Sequence, residues 1–501
     1  MIRAALKEVL MGYGPWADIL NLDLPVMYGG KKRPELFRLF HFPKNKAEQQ
    51  GALEALKFDE ALQLQLALAE RRKGRTHHES TPMRNTSDKS KKIRSYFPYS
   101  FTGDQQSALG QTIGDMGCTH RPMQRLIHGE VGSGKTAVAF YSAMLTALNG
   151  KRTLILCPTT ILADQHYQTL KGMGWDDVML YTGRKSVPKL LPKIIIGTHS
   201  LLNWEYLHKL ASLVIVDEFQ KFGVEQRAKL QKNNPHLLLL SATPIPRTLA
   251  ATAFGDLDIS VIKELPIKRG TVITKQVLPD RREGMYEIIE NELAKGHQAY
   301  VVYPRISGDE DVVSAERGYD ELVKRFENTV ILTGRADSER KADVLRRFKA
   351  SEIDILVSTI IAEVGLDNPN ATVMVIEGAD RFGLSQLHQL RGRVCRSTDT
   401  AFCFLVSETA NPTSIARLEA IERTNDGFLI AEEDLRLRGP GEVFSTRQSG
   451  LPDLKWISLV DDYDLMIEAH DLVADELHAG NGVREMMRIR YGDNLQLGGT
   501  V

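Results

Sequence analysis

Eight residues constrain this chain more than any other stretch: Gly129-Glu130-Val131-Gly132-Ser133-Gly134-Lys135-Thr136. They fit G-x-x-x-x-G-K-[ST] without a mismatch, between a short apolar run at 125–128 and an apolar helical stretch from 137 to about 148. Strand, glycine loop and helix in that order make a cradle for phosphate. The glycines let backbone N–H groups converge on phosphate oxygens, and the helix N-terminus adds the positive end of its dipole. In such a loop Lys135 reaches the β- and γ-phosphates as a mobile point charge, and the Thr136 hydroxyl can ligate Mg²⁺.

A second feature fits the first. Leu213-Val214-Ile215-Val216-Asp217-Glu218 is an apolar strand that ends in two acids. Open α/β sheets bind ligands beyond their strand C-termini. There Asp217 would hold Mg²⁺, and Glu218 would orient and deprotonate an attacking water. Alone, this string also fits a solvated strand end. Beside the phosphate loop it reads as the other half of a nucleotide site.

Apolar runs at 125–128, 153–157, 193–197, 213–216 and 237–240 alternate with helical stretches. A second series follows at 299–303, 329–332, 353–357, 373–376 and 402–406. Buried β-branched strands alternating with helices predict parallel sheets in an α/β architecture. Two series predict two lobes, with the break near Glu264-Leu265-Pro266-Ile267-Lys268-Arg269-Gly270. In the second lobe, Gln389-Leu390-Arg391-Gly392-Arg393-Val394-Cys395-Arg396 places Arg393 and Arg396 three apart, on one face if helical. Guanidinium groups reaching across a cleft can stabilise charge on a transferring phosphoryl group. By itself the string also fits a basic surface turn.

Outside the lobes the sequence is less specific. Residues 1–73 read as helical, although the alternation Leu62-Gln63-Leu64-Gln65-Leu66-Ala67-Leu68 would also fit a strand. Residues 71–94 hold nine Lys/Arg and two acids among Ser, Thr, His and Asn, so 74–94 is expected to be a basic, flexible linker. The stretch 411–501 is mostly helical and polar, punctuated by Arg438-Gly439-Pro440-Gly441. The whole chain of 501 residues balances 64 Lys+Arg against 64 Asp+Glu. A nucleic-acid partner would therefore need locally gathered basic groups. No apolar run approaches the ~18 residues that span a bilayer. Lys7 and Glu8 interrupt the first apolar stretch, so no signal peptide is expected and the cytosol is the expected compartment. Cys118, Cys157, Cys395 and Cys403 stand far apart, which argues against a zinc site or a disulfide framework; Cys157 and Cys403 read as small buried hydrophobes.

Together these strings resemble superfamily 2 helicases, and within them the bacterial RecG branch-migration helicases. The resemblance runs from about Phe97 to Leu454. Besides the two nucleotide motifs it rests on Pro158-Thr159-Thr160-Ile161-Leu162-Ala163, Gly197-Thr198-His199, Phe222-Gly223-Val224-Glu225-Gln226-Arg227 and Ser241-Ala242-Thr243-Pro244-Ile245-Pro246-Arg247. It continues through Gly255-Asp256-Leu257-Asp258, Glu363-Val364-Gly365-Leu366-Asp367 and Arg381-Phe382-Gly383-Leu384-Ser385-Gln386-Leu387-His388-Gln389-Leu390-Arg391-Gly392-Arg393. It implies two tandem RecA-like parallel-sheet lobes, a helical N-terminal connector and a C-terminal helical hairpin. The implied boundaries are 1–73 connector, 74–94 linker, 95–265 first lobe, 266–410 second lobe and 411–501 hairpin and C-terminal region.

The resemblance also implies roles. ATP and Mg²⁺ would lie between the lobes, with Gln105 reading adenine, Gln389 near the nucleotide, and Arg393 and Arg396 completing the site. Thr159, Thr198 and His199 would lie along a nucleic-acid strand. Thr424-Asn425-Asp426-Gly427-Phe428, Asp434-Leu435-Arg436-Leu437-Arg438-Gly439-Pro440-Gly441-Glu442 and Thr446-Arg447-Gln448-Ser449-Gly450 resemble the RecG translocation motif. Arg436, Arg438, Arg447 and Gln448 would then pass ATP turnover to branched or double-stranded DNA. A monomer is what the family suggests.

Three departures stand out. The family shows Asp-Glu-Gln-His where this chain has Asp217-Glu218-Phe219-Gln220, so the coupling position holds Gln220, which cannot carry a proton. Cys395 replaces the glycine usual before Arg396, and a Cβ would strain a turn that needed positive φ. Residues 1–73 resemble only the helical connector that follows the family's OB-fold wedge, so the wedge is expected to be missing. Two narrower readings therefore stay open: a DNA-stimulated ATPase that does not unwind forks, and a non-catalytic DNA-binding remnant.

Overall fold

Two sheets, of seven and six strands, account for the apolar runs. The computed structural model describes residues 33–75, 80–119, 121–181, 183, 190–222, 226, 234–241, 257–266, 270–304, 310–359, 368–394, 399–438, 455–458 and 461–478. The described residues divide into two compact units. One comprises 33–75, 257–258, 438 and 455–478; the other comprises 80–241 with 259–437.

The smaller unit is helical. Its helices α1 (Arg33–His41) and α2 (Lys46–Arg75) explain the ambiguous leucine alternation. At 100° per residue, Leu62 and Leu66 share one face of α2 and Leu64 and Leu68 lie on the opposite one. All four are at most 3% exposed, so the helix buries two faces and mimics a strand in sequence. The Glu60 carboxylate accepts the N–H groups of Lys455, Trp456 and Ile457 at 2.7, 2.8 and 2.9 Å. Lys57 pairs with Asp462 at 2.7 Å, and Trp456 meets Phe37 and Phe40 edge-on.

The first lobe begins earlier than composition suggests. The stretch 80–94, expected to be part of a flexible linker, is instead packed onto the lobe. Helix α3 (Ser87–Arg94), capped by Thr86, buries Ile93 in the lobe core, and Met83 lies there too. Two apolar anchors were hidden among the charges. Then follow α4 (Gly103–Met116), β1 (Gln124–Gly129), α5 (Lys135–Leu148), β2 (Arg152–Leu156) and α6 (Thr160–Gly172). The lobe continues through β3 (Val178–Tyr181), β4 (Ile194–Gly197), α7 (Glu205–Leu210), β5 (Ala211–Val216), β6 (His236–Ser241) and β7 (Asp258–Ile262). The strand order is β3-β4-β2-β5-β6-β1-β7. The strands from β3 to β1 pair in parallel, so β1 and β5 end on the same edge of the sheet, with β6 between them.

The second lobe comprises β8 (Val272–Val277), α8 (Glu283–Ala294), β9 (Gln298–Val302), α9 (Glu310–Val323), β10 (Thr329–Leu332) and α10 (Ser338–Lys349). After these come β11 (Ile355–Ser358), β12 (Ala371–Glu377), α11 (Leu384–Arg391) and β13 (Ala401–Val406). Its order is β10-β11-β9-β12-β13-β8, and every pairing is parallel. Successive residues serve opposite faces, as the pleat requires. Tyr300 and Val302 join one core cluster, whereas Ala299, Val301 and Tyr303 join the other. The helices α12 (Pro412–Arg423) and α13 (Gly427–Arg438) follow. Leu418, Ile421 and Ile430 are buried in the second lobe's core, so this part of the 411–501 region is built into that lobe. The last helix, α14 (Tyr463–His478), packs on α2.

A buried ion pair ties the second lobe together. Arg282 donates to both carboxylate oxygens of Glu377 at 2.7 and 2.8 Å, and burial pushes the Glu377 carboxyl above its usual range despite that partner. Glu377→Ala would leave a guanidinium of only 25% side-chain exposure without its counter-ion. The expected result is a loss of about 3 kcal/mol in the unfolding of this lobe, read from the urea midpoint. An unchanged midpoint would show that solvent already satisfies Arg282.

Candidate nucleotide site

Between β1 and α5 the chain reverses through two left-handed residues, Gly132 (φ 78°) and Gly134 (φ 83°). Only glycine adopts that conformation without cost. A Cβ on Gly129 would lie 2.5 Å from the Ile262 carbonyl and 2.7 Å from Ser133 Oγ, so the loop's first position is closed to any other residue. The Lys135 ammonium is folded back over the loop and donates to the carbonyls of Gly129 (2.8 Å) and Glu130 (2.7 Å). Ser133 Oγ is buried among the described atoms without a hydrogen-bond partner. An orphan hydroxyl, a movable ammonium and a loop free of side chains suit a polyphosphate anion. Thr136, half-buried, is the second residue of α5.

Gln105 closes one side of this loop. It is 1% exposed; Nε2 donates to the Ser133 carbonyl at 2.9 Å, and Oε1 accepts the Thr102 N–H at 3.0 Å. The capping box that starts α4 therefore also braces the phosphate loop.

Asp217 follows β5 on the same sheet edge. Its Oδ2 meets His166 Nε2 at 2.8 Å, and its Oδ1 accepts the Glu218 N–H at 2.9 Å. Burial alone would raise this carboxyl. The His166 hydrogen bond and charge outweigh it, helped by the Lys135 ammonium and the Glu218 N–H, and hold the carboxyl below its ordinary value. Lys135 and Asp217 thus face one another electrostatically. Glu218 adopts φ 51°, a left-handed conformation unusual for a carboxylic residue, immediately after the strand.

The proposed strand-contacting residues sit on elements that touch this centre. Thr159 caps α6, accepting the Leu162 N–H at 3.3 Å, and the same helix carries His166. The ring of His199 stacks on Phe222 at 4.7 Å, just past the Asp217–Glu218 turn. Thr198 lies beside it, with its hydroxyl 3.4 Å from that of Ser200. His166 lies beyond the Pro158–Ala163 string and carries no motif of its own. Its position seven residues after the Thr159 cap, on the same helix face, was the available signal.

From the second lobe, Gln389 is half-buried on α11. Helix α11 ends at Arg391, so Arg393 stands in the following turn, the alternative the sequence left open for this string. The reason is local. The Gly392 N–H bonds the His388 carbonyl, and the Arg391 guanidinium turns inward to the carbonyls of Ile421 (2.7 Å) and Thr424 (2.8 Å). Gly392 also lies against the phosphate loop, where a Cβ on it would stand 3.4 Å from Val131 Cβ. Arg393 is the next residue in the chain and is half-buried. Arg436 is exposed and pairs with Glu433 at 3.4 Å. Arg396, Cys395, Arg447 and Gln448 lie outside the described residues, as do the side chains of Gln220 and Arg438.

Comparison with known proteins accords with this geometry. Residues 102–252 match the DEAD/DEAH box helicase family, 281–398 the helicase conserved C-terminal domain, and 424–487 the C-terminal part of domain 3 of ATP-dependent DNA helicase RecG. The chain is 40% identical over 455 residues to the ATP-dependent DNA helicase RecG of Synechocystis sp., covering 86% of this chain and 54% of that protein. It is 37% identical over 493 residues to RecG of Streptococcus pneumoniae, covering 94% of this chain and 73% of that one. A solved structure of RecG bound to a three-way DNA junction superposes with a TM-score of 0.68 at 34% identity, over 93% of this chain and 64% of that chain. The chain thus spans roughly half to three-quarters of the length of these relatives. Among the described residues no helix is long and apolar enough to cross a membrane. Two parallel-sheet lobes meeting at a glycine-rich loop, with identity sustained across both and into the helices beyond, place the chain in the RecG family of ATP-dependent DNA helicases.

Proposed function

We propose that this chain hydrolyses ATP to move along double-stranded or branched DNA, such as stalled forks and recombination junctions, in repair and recombination. The observation that carries the reading is that the glycine loop with Lys135 and the acid Asp217 follow parallel strands at one sheet edge, with Gly392 of the second lobe against the same loop. The backbone from Gly129 to Gly134 would cradle the phosphates. Lys135 would leave its two carbonyls for the β- and γ-phosphate oxygens, and Gln105 would read adenine. Mg²⁺, when held by Thr136 and Asp217, would neutralise charge building on the phosphate oxygens. Glu218 would orient and deprotonate water for attack on the γ-phosphorus, with ADP as the leaving group. Arg393, with Arg396 and Gln389 from the same lobe, would stabilise the transferring phosphoryl group. Catalysis would be mainly positioning and electrostatic preorganisation.

Thr159, Thr198 and His199 would track one strand of the DNA, while Arg436, Arg438, Arg447 and Gln448 would pass each lobe movement to the duplex. Contacts made to phosphates give strong salt dependence and little sequence preference. The working form would be a monomer in the cytosol. One titration tests this reading: ATP hydrolysis with and without forked DNA, in wild type and Glu218→Gln. Forked DNA is expected to stimulate the wild type, and Glu218→Gln to lower the stimulated rate by ~10²-fold. Equal rates in the two proteins would remove the motor.

A further inference from the structure

The phosphate loop does more than surround the space for phosphate; one of its side chains reaches out of it. Glu130 Oε1 accepts the N–H of Gly427, the first residue of α13, at 2.9 Å. The neighbouring residue repeats the contact, since the His128 ring meets Phe428 edge-on at 5.1 Å between centroids. On the other side, Val131 meets Gly392. Thus residues at 128, 130 and 131 grip the second lobe at two places, the start of α13 and the end of α11.

Those two places are themselves joined. Arg391, 3% exposed, bonds the carbonyls of Ile421 and Thr424 just ahead of α13, and Ser385 on α11 donates to Asp434 on α13 at 2.7 Å. Helix α13 is therefore held at its start by the loop and farther along by α11. Its twelve residues carry Arg436 about 13 Å from that start.

We infer that the Glu130 side chain is a positioning residue that transmits the state of the phosphate loop to α13 through the Gly427 N–H. This rests on the ATP-driven DNA translocation proposed above. The physical basis is that the Glu130 carbonyl is one of the two that hold Lys135. When Lys135 turns to phosphate, the Glu130 carbonyl loses its ammonium partner and keeps the Ser133 N–H at 3.1 Å, so its peptide is held less firmly and can shift. Its carboxylate, bonded to an N–H at a helix N-terminus where negative charge is favoured, carries that shift to α13. The link is direct and does not pass through Arg393.

Gly427→Pro tests it cleanly. Gly427 is the first helical residue, with Asp426 as its cap, and proline is well tolerated there. The substitution deletes one N–H, and the ring carbon in its place moves the Glu130 carboxylate off α13 while leaving residue 130 unchanged; Gly427→Ala keeps that N–H. The full chain is assayed for ATP hydrolysis without DNA, and for displacement of a third strand from a triplex per ATP hydrolysed. For Gly427→Pro the DNA-free rate is expected within about twofold of wild type. Displacement per ATP is expected to fall by about tenfold, with Gly427→Ala near wild type. A double variant with Glu130→Gln should couple no worse than the poorer single variant, because both act on one bond.

Wild-type displacement per ATP in Gly427→Pro overturns the inference, as does an equal fall in DNA-free hydrolysis and displacement, which would make the contact a mere brace for the loop. If Gly427→Pro does not fold, as judged by its melting curve, Phe428→Leu decides: the loss of the ring contact should lower displacement per ATP, and unaltered coupling overturns the inference. A wild type without DNA-stimulated hydrolysis would instead mark the failure of the motor itself.

Discussion

Lys135→Ala is expected to lower DNA-stimulated ATP hydrolysis by ~10²–10³-fold, the effect of deleting one preorganised charged donor from a transition state. The structure shows why no neighbour can replace it. The ammonium is 7% exposed, bonded to the carbonyls of Gly129 and Glu130, and electrostatically coupled to Asp217 across the sheet edge. It is stored at the loop and needs only to rotate. Lys135→Arg should not restore the rate, because a planar guanidinium with a fixed fork does not reproduce a compact ammonium that swings from the carbonyls of Gly129 and Glu130. A second consequence separates chemistry from folding. Without the ammonium, Asp217 keeps His166 and the Glu218 N–H, so the site loses its mobile cation and retains its carboxylate scaffold. Steady-state hydrolysis beside a melting curve would check both halves. A Lys135→Ala protein that melts normally and hydrolyses ATP at the wild-type rate would show that the glycine loop is not a phosphate site.

What the sequence revealed, and what it hid, follows from burial geometry. The ten apolar runs became strands because each is covered on both faces, which is what parallel sheets with helices on either side demand. The three strands that went unread, β3, β7 and β8, all lie at sheet edges. In β8, Val272-Ile273-Thr274-Lys275-Gln276-Val277, Ile273 is 40% exposed and Lys275 and Gln276 face solvent. An edge strand needs only one apolar side and is protected by charge, so its composition resembles a loop. The same logic hid α3, where Ile93 alone among Lys89, Lys91, Lys92 and Arg94 reaches the core.

At the site, spacing pointed to a chemistry but not to the connections. Gly129–Thr136 and Asp217-Glu218 stand out in the sequence because the proposed phosphate and metal chemistry would restrict their residue types. His166, Arg391 and the side-chain role of Glu130 do not. Each depends on which helix face meets which strand end, a property of the packed structure. The arginine string is the instructive case. Spacing left Arg393 and Arg396 either on one helical face or in a basic turn; the helix ends at Arg391, so Arg393 stands in a turn, and Arg391 and Arg393 differ in surroundings.

That difference sets the remaining prediction. Of the described arginines after Gln389, Arg391 is turned inward, its guanidinium committed to two carbonyls and close to His388 Nδ1 at 3.1 Å. Arg393 follows the glycine that meets Val131 and is half-buried. Arg393→Ala should therefore lower single-turnover ATP hydrolysis by ~10³-fold, in the range of an arginine finger, while the affinity for a non-hydrolysable ATP analogue changes only a few-fold. The distinction is that a charge needed only as the phosphoryl group transfers affects kcat more than ground-state binding. Arg393→Lys should recover little, since a point charge on a flexible stem lacks the fork that spans two oxygens. Arg391→Ala should do the opposite, lowering the melting temperature because it leaves the carbonyls of Ile421 and Thr424 without their donor. If Arg393→Ala instead weakens analogue binding as much as it slows hydrolysis, the second lobe serves only as a lid over the nucleotide, and the charge stabilisation must come from Lys135 and the metal site alone.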